Sequence, residues 1–286
     1  MANETLSSNI AGLVDDIQAE ALMKLQDTAG IMDAVRWIDT EGEAGKTVDF
    51  PIYGTVASSD VAEVAEGTDH STNKQVTNAA TTATVAEHVV MANISDLSVM
   101  SARNDIVDDI STLFASAMKA KLEDDIVGLF GSFSQTVAGA GTTMTLDHWY
   151  DAIRQIKAGN GDTTALTAVV SPKQYYGAKG LRPLLSTTTA TGTLSEDFKK
   201  KGFVDMFAGM PVLVSNEIDE DVASGGDAAG AIFHKGAIGL HTKGLMNVEI
   251  ERNASARAFE LVAVGRWKEV ELVDEWGVYF LSDVSG

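Results

Sequence analysis

The residues able to do chemistry here are a lysine set beside glycine, clustered acids and histidines. Gly45-Lys46-Thr47 ends like a phosphate-binding loop. That loop needs a glycine five positions before Gly45, where Thr40 stands, and a helix behind it to face the phosphate. An alternating strand pattern follows instead. Gly139-Ala140-Gly141 has Met144 where a dinucleotide loop needs its third glycine. Asp219, Glu220, Asp221 and Asp227 gather acids as a calcium loop does, but Ala223 and Gly230 stand at ligand positions of the helix-loop-helix calcium pattern. His70, His88, His148, His234 and His241 contain no pair four residues apart, so no helical zinc signature is present, and they read as surface or partly buried side chains. There is no Gly-x-Ser-x-Gly elbow and no cysteine, which removes thiolate nucleophiles, thiolate metal ligands and disulfides. These residues assign no catalytic, cofactor or metal position.

Charge narrows the partners. With 21 basic and 41 acidic residues the formal net charge is -20. A chain built to grip phosphate backbones carries a basic stripe. Here the sequence has one short cluster, Lys199-Lys200-Lys201, read as a solvated loop. Such a surface suits contact with nucleic acid that is weak and without sequence preference. The first residues carry Glu4 and no early Lys or Arg, unlike a secretory leader, and no apolar run is long enough for a membrane span.

The elements that would position any site come next. Leu6, Ile10, Leu13, Ile17 and Ala21 share one face of an N-terminal helix. Val48, Phe50 and Ile52 alternate with Thr47, Asp49 and Pro51, a strand that Pro51 confines to an edge. A second extended run passes through Val76, Thr82, Thr84, Val85, Val89 and Met91, with the polar stretch Gly54 to Gln75 between. Together they predict a two-stranded arm over residues 45 to 92. An isolated ribbon is marginal in water, so this one is expected to lie on a neighbouring copy. Phe50, Ile52, Glu66, Lys74 and Asp96 are the expected contact residues.

A long helix follows from Asn104 to Phe130, about 40 Å long, with Ile106, Ile110, Leu113 and Ala117 on one stripe and Phe114, Met118, Leu122, Ile126 and Leu129 on another. The Gly, Ala and Thr of Ser132 to Thr143 mark a domain crossing. Thr145 caps a helix that turns Leu146, Trp149, Tyr150, Ile153 and Ile156 inward, and Ser171-Pro172 opens another. Strands are expected at Thr167 to Val170, Pro211 to Ser215 and Ala231 to Phe233, and a mobile segment at Ser186 to Thr193. The end is β-rich, over Val248 to Arg252, Phe259 to Val264, Trp267 to Val273 and Gly277 to Leu281.

This order of parts resembles the tailed-bacteriophage major capsid protein family, with the fold named after bacteriophage Hong Kong 97. The resemblance rests on an ordered set of phrases covering nearly the whole chain. Gly45-Lys46-Thr47-Val48-Asp49-Phe50-Pro51-Ile52-Tyr53-Gly54, Ala65-Glu66-Gly67 and Ile94-Ser95-Asp96-Leu97 stand for the extended loop, and Leu122-Glu123-Asp124-Asp125-Ile126 ends the spine helix. Val170-Ser171-Pro172-Lys173-Gln174-Tyr175-Tyr176, Gly209-Met210-Pro211-Val212 and Phe233-His234-Lys235-Gly236-Ala237-Ile238-Gly239 stand for the axial domain, and Val248-Glu249-Ile250-Glu251-Arg252 for the return.

The resemblance implies an α+β subunit with an N-terminal arm (1–32), an extended loop and flanks (33–97), a peripheral domain with the spine helix (98–140), an axial domain (141–242) and peripheral return strands (243–286). It implies a non-enzymatic shell protein that forms hexamers and pentamers around phage double-stranded DNA. It also implies a portal protein, a separate scaffolding protein, a cement protein as an optional partner, and location in the virion capsid after assembly in the host cytoplasm. No cofactor, membrane or catalytic residue is implied. Lys46, Lys74 and Asn253 match no crosslinking motif. The competing readings are an encapsulin-like compartment of the same fold, a hydrolase with an acidic site, and a calcium-dependent adhesion module using the Asp219 loop.

Overall fold

The computed structural model describes residues 30–54, 56, 58–68, 74–96, 106–186, 206–222 and 225–285. The expected N-terminal helix, the start of the long helix before residue 106 and the segment 187–193 lie outside the described residues.

Strands β1 (Arg36–Asp39), β4 (Ala86–Ser95), β10 (Ile238–Thr242), β11 (Asn247–Asn253) and β12 (Ala258–Glu271) form a five-stranded sheet. β12 is its centre. β4 pairs with it from Ala258 to Trp267, while β10 and β11 pair with it in turn. β1 runs parallel beside β10. The two strands expected at 259–264 and 267–273 are therefore one 14-residue strand. Gly265 sits within it because a Cβ there would lie 2.3 Å from the Trp267 ring.

β5 (Gln135–Ala138), β6 (Leu166–Val170), β7 (Met206–Phe207), β8 (Met210–Val214), β9 (Asp227–His234) and β13 (Gly277–Asp283) form a six-stranded sheet in the order β5-β13-β9-β6-β8-β7. Its central strands are buried on both faces, and alternate residues feed different cores. Leu166, Ala168, Val170 and Ile232 join Trp149 and Phe280 on one side, whereas Val169, Ala231 and Phe233 join the core beneath the first sheet on the other. This explains the unbroken apolar run at Leu166–Val170. The Ser132 to Thr143 stretch is more than a crossing, since β5 in it pairs parallel with β13. The expected boundary at 242/243 does not coincide with the sheets: β10 belongs to the first sheet and the late strand β13 to the second.

Helix α1 (Ile106–Gly128) is 23 residues long, about 35 Å. Its buried stripe is Phe114, Met118, Leu122 and Ile126, as the spacing predicts. Leu113 and Ala117, on the other expected stripe, are exposed. α2 (Leu146–Ala158) buries Trp149, Ala152 and Ile156, but Tyr150 points to solvent, one step around the helix from the buried face. At its start the Thr145 N–H donates to His148 Nδ1 (3.3 Å). α3 (Pro172–Tyr176) begins with Ser171 as N-cap, and α4 (Leu181–Ser186) follows. Gln174 of α3 is fully buried: its oxygen accepts from the Ser171 N–H, and its amide donates to the Ala228 and Phe280 carbonyls and to Ser282 Oγ.

Candidate functional site: the arm and its root

Among the described residues, strands β2 (Thr47–Tyr53) and β3 (Asn78–Thr84) pair only with each other, from Thr47↔Thr84 to Tyr53↔Asn78. The arm's paired stem is thus shorter than expected. After Val85 the chain leaves the ribbon, and β4, with Val89 and Met91, belongs to the body's sheet.

One face of the ribbon carries Val48, Phe50, Ile52, Thr81 and Ala83. Phe50 and Ala83 are fully buried, Ile52 is half-buried and Ala79 opposite it is exposed, so burial fades towards the tip. The other face holds Thr47, Asp49 and Tyr53, with Thr82 Oγ1 donating to Asp49 at 2.6 Å. The alternation anticipated from sequence is therefore present, but its inner face is covered at the root by this same chain.

The root is built from β10 and the loop after β1. Gly239 leaves space for the Phe50 ring: a Cβ there would lie 3.1 Å from two of its carbons. Arg36 lies 5.7 Å from the same ring and donates to the Pro51 carbonyl. His241 is fully buried, which corrects its reading as a surface or partly buried residue. Its Nδ1 faces the Ala83 carbonyl at 3.3 Å and its Nε2 meets Thr40 Oγ1 at 2.8 Å. The pairing that satisfies both places the proton on Nδ1, donating to the carbonyl, while Nε2 accepts from the hydroxyl. Lys243 donates to the carbonyls of Glu43 (2.6 Å) and Gly45. Thus Lys46 and its flanking glycine lie at the base of the arm, where Val85 N–H donates to the Lys46 carbonyl (3.0 Å).

At the end of the stem Tyr53 is 67% exposed, and beyond it Val61 is 77% exposed, with Val56, Val64 and Val76 exposed as well.

The five expected contact residues are not brought together. Phe50 is 0% exposed, so its side chain has no surface left for a neighbour, and it braces the root instead. Ile52 lies where burial fades. Glu66 is exposed in a turn closed by Thr68 N–H to the Ala65 carbonyl, with Gly67 at φ +80. Lys74 pairs with Asp60 at 2.9 Å. Asp96 follows the last residue of β4, about 30 Å along the strand from the arm. Its carboxylate takes both Arg252 guanidinium nitrogens at 2.7 and 2.9 Å, and that hydrogen bonding holds it below the usual range. Arg252 also lies over the Phe259 ring. Sequence reasoning missed Gly239, His241 and Thr40, which no spacing connects to the arm.

The acidic loop is tied up locally: Glu220 accepts from the Lys173 backbone and Asp221 from the Gly226 N–H. Among the described residues no group of three or more His, Asp or Glu is placed to hold a metal ion.

Residues 78–277 match the model of a family described as phage capsid protein. No curated protein sequence matches the chain. Among solved structures, the capsid of cyanophage P-SCSP1u aligns with TM-score 0.66 at 16% identity, covering 89% of this chain and 88% of that one. A Microbacterium phage Oxtober96 chain aligns with TM-score 0.65 at 13% identity, covering 89% and 90%. The virus-like particle from Pyrococcus furiosus aligns with TM-score 0.62 at 11% identity, covering 93% and 98%. The mixed α+β fold is of the Hong Kong 97 kind, and with the family model spanning more than half of its length, the chain belongs to the phage capsid protein family.

Proposed function

We propose that this chain is a major capsid protein whose copies form the hexamers and pentamers of an icosahedral head shell around double-stranded DNA. The observation that carries this reading is the arm, with Tyr53, Val56, Val61, Val64 and Val76 held out in solvent on a root locked to the body. Burying such side chains against a neighbour contributes about 1.5–3 kcal/mol each, and later contacts form at high effective concentration. The first sheet with α1 is the peripheral domain in this reading and the second sheet the axial one. Mechanism is assembly, with no catalytic step. A separate scaffolding protein, a portal protein, weak contact with DNA, host-cytoplasmic assembly and a place in the virion capsid complete the proposal. The relatives by fold include the capsids of a cyanophage and of phage PhiM1, which supports a shell; the family match favours a phage head over an encapsulin-like compartment.

The test is sedimentation velocity of the wild type against Tyr53→Ser/Val61→Ser. The variant should keep its subunit melting within about 0.5 kcal/mol, since both sites are exposed, and lose large particles. Unchanged particle formation would remove the arm from assembly.

A further inference from the structure

The two faces of the first sheet are covered differently. α1 lies on the face that presents Val90, Ala92 and Ile94, and Trp267 Nε1 donates to Asp125 of that helix at 2.9 Å. The opposite face begins at Gly239 and His241, where the arm's root lies on it. The Glu87–Arg266 pair, 2.8 Å apart, crosses the middle. Past that pair none of the described residues covers the face. Val89 and Met91 are 59% and 58% exposed, directly opposite the half-buried Val264 and Val262 of β12.

Acids frame this apolar centre. Glu249 stands opposite Val262, and Glu251 stands opposite Glu260. Glu249 and Glu260 are met by side-chain amides, of Asn247 and Asn253, rather than by cations. The distal arm of a second copy has apolar groups to offer, but it is acidic too, with Asp60, Glu63 and Glu66 against Lys74. Like charges across such a contact oppose it.

We infer that the Val89–Met91–Val262–Val264 face is the docking surface for a separate polypeptide whose apolar side chains are flanked by lysine or arginine. The apolar centre supplies the contact and the glutamates select the sign of the partner. This inference goes beyond the shell reading and can be decided on the free subunit.

The chain has no cysteine, so Met91→Cys gives a single reactive thiol at the centre of the patch. It should react with maleimide in the free subunit and equally in particles assembled from this chain alone. A helical leucine–lysine peptide should bind and slow that labelling, and a leucine–glutamate peptide should not. On a wild-type background, Glu249→Lys/Glu251→Lys should weaken peptide binding about tenfold or more, whereas Glu63→Lys/Glu66→Lys, with the same change in net charge, should leave it unchanged. A thiol blocked by assembly alone would assign the patch to a second copy and overturn the inference. Equal weakening by both charge variants would reduce the binding to overall charge and overturn it as well.

Discussion

Replacing Phe50 by alanine should destabilise the subunit itself. The ring is fully enclosed by this chain, and removing it leaves a cavity against Gly239 and beneath Arg36. Phe→Ala changes in cores cost about 3–5 kcal/mol, and the lower end applies here because a two-stranded ribbon can settle into the gap. Gly239→Ala attacks the same contact from the other side. Its new methyl would lie 3.1 Å from Phe50 carbons and from Leu272 Cδ1, which costs about 1–2 kcal/mol through overpacking. In the double variant that methyl occupies part of the cavity, so the combined loss should fall short of the sum by about 1 kcal/mol or more. The assay is urea unfolding of unassembled subunits at one fixed protein concentration, because association would shift the apparent stability. A loss below about 1 kcal/mol for Phe50→Ala, or strict additivity, would refute the packing argument.

Three further outcomes follow from buried or charged contacts. Gln174→Leu should cost about 3 kcal/mol in unfolding free energy, because it strands the Ser171 N–H and three acceptors in a fully buried site; a loss under 1 kcal/mol would mean that the network contributes little. Asp125→Ala should lower the urea midpoint by the equivalent of about 2 kcal/mol, since the Trp267 indole N–H loses its acceptor while Lys121 keeps only Asp124, and an unchanged midpoint would contradict this. The Lys179 hydrogen bond brings the Asp283 carboxyl to about 2, below its ordinary 3.8. The stabilisation is therefore fully present above about pH 4 and lost as pH falls towards 2. Carbon-detected NMR titration should find the low midpoint in the wild type and a return towards the ordinary value in Lys179→Met; a wild-type midpoint near 3.8 would contradict the contact.

The periodic elements were legible in the sequence because their periods are local. The buried stripe of α1, the Ser171-Pro172 helix start and the alternation of Val48, Phe50 and Ile52 all depend on neighbours a few residues away. The destination of a strand depends on distant partners. The run from Val76 to Met91 reads as one extended piece, yet at Val85 it passes from the ribbon into the body's sheet, where β12 receives it. β10 is buried throughout, shows no alternation and contains a glycine, so nothing marks it as a strand or as the arm's socket. The contact set failed at Phe50 for the same reason, since the notch that encloses its ring is made by Gly239, far along the chain. Tyr150 is apolar enough to read as inward, but only Trp149 of that pair lies on the core side of α2.

The central claim is that this chain builds a shell, and electron microscopy of the purified protein tests it most directly, with the chain expressed alone and together with its neighbouring genes. The account predicts closed icosahedral particles with six-fold and five-fold clusters in at least one preparation, their subunits contacting one another through the exposed arm. Compact monomers in both preparations, persisting at high protein concentration, would contradict it.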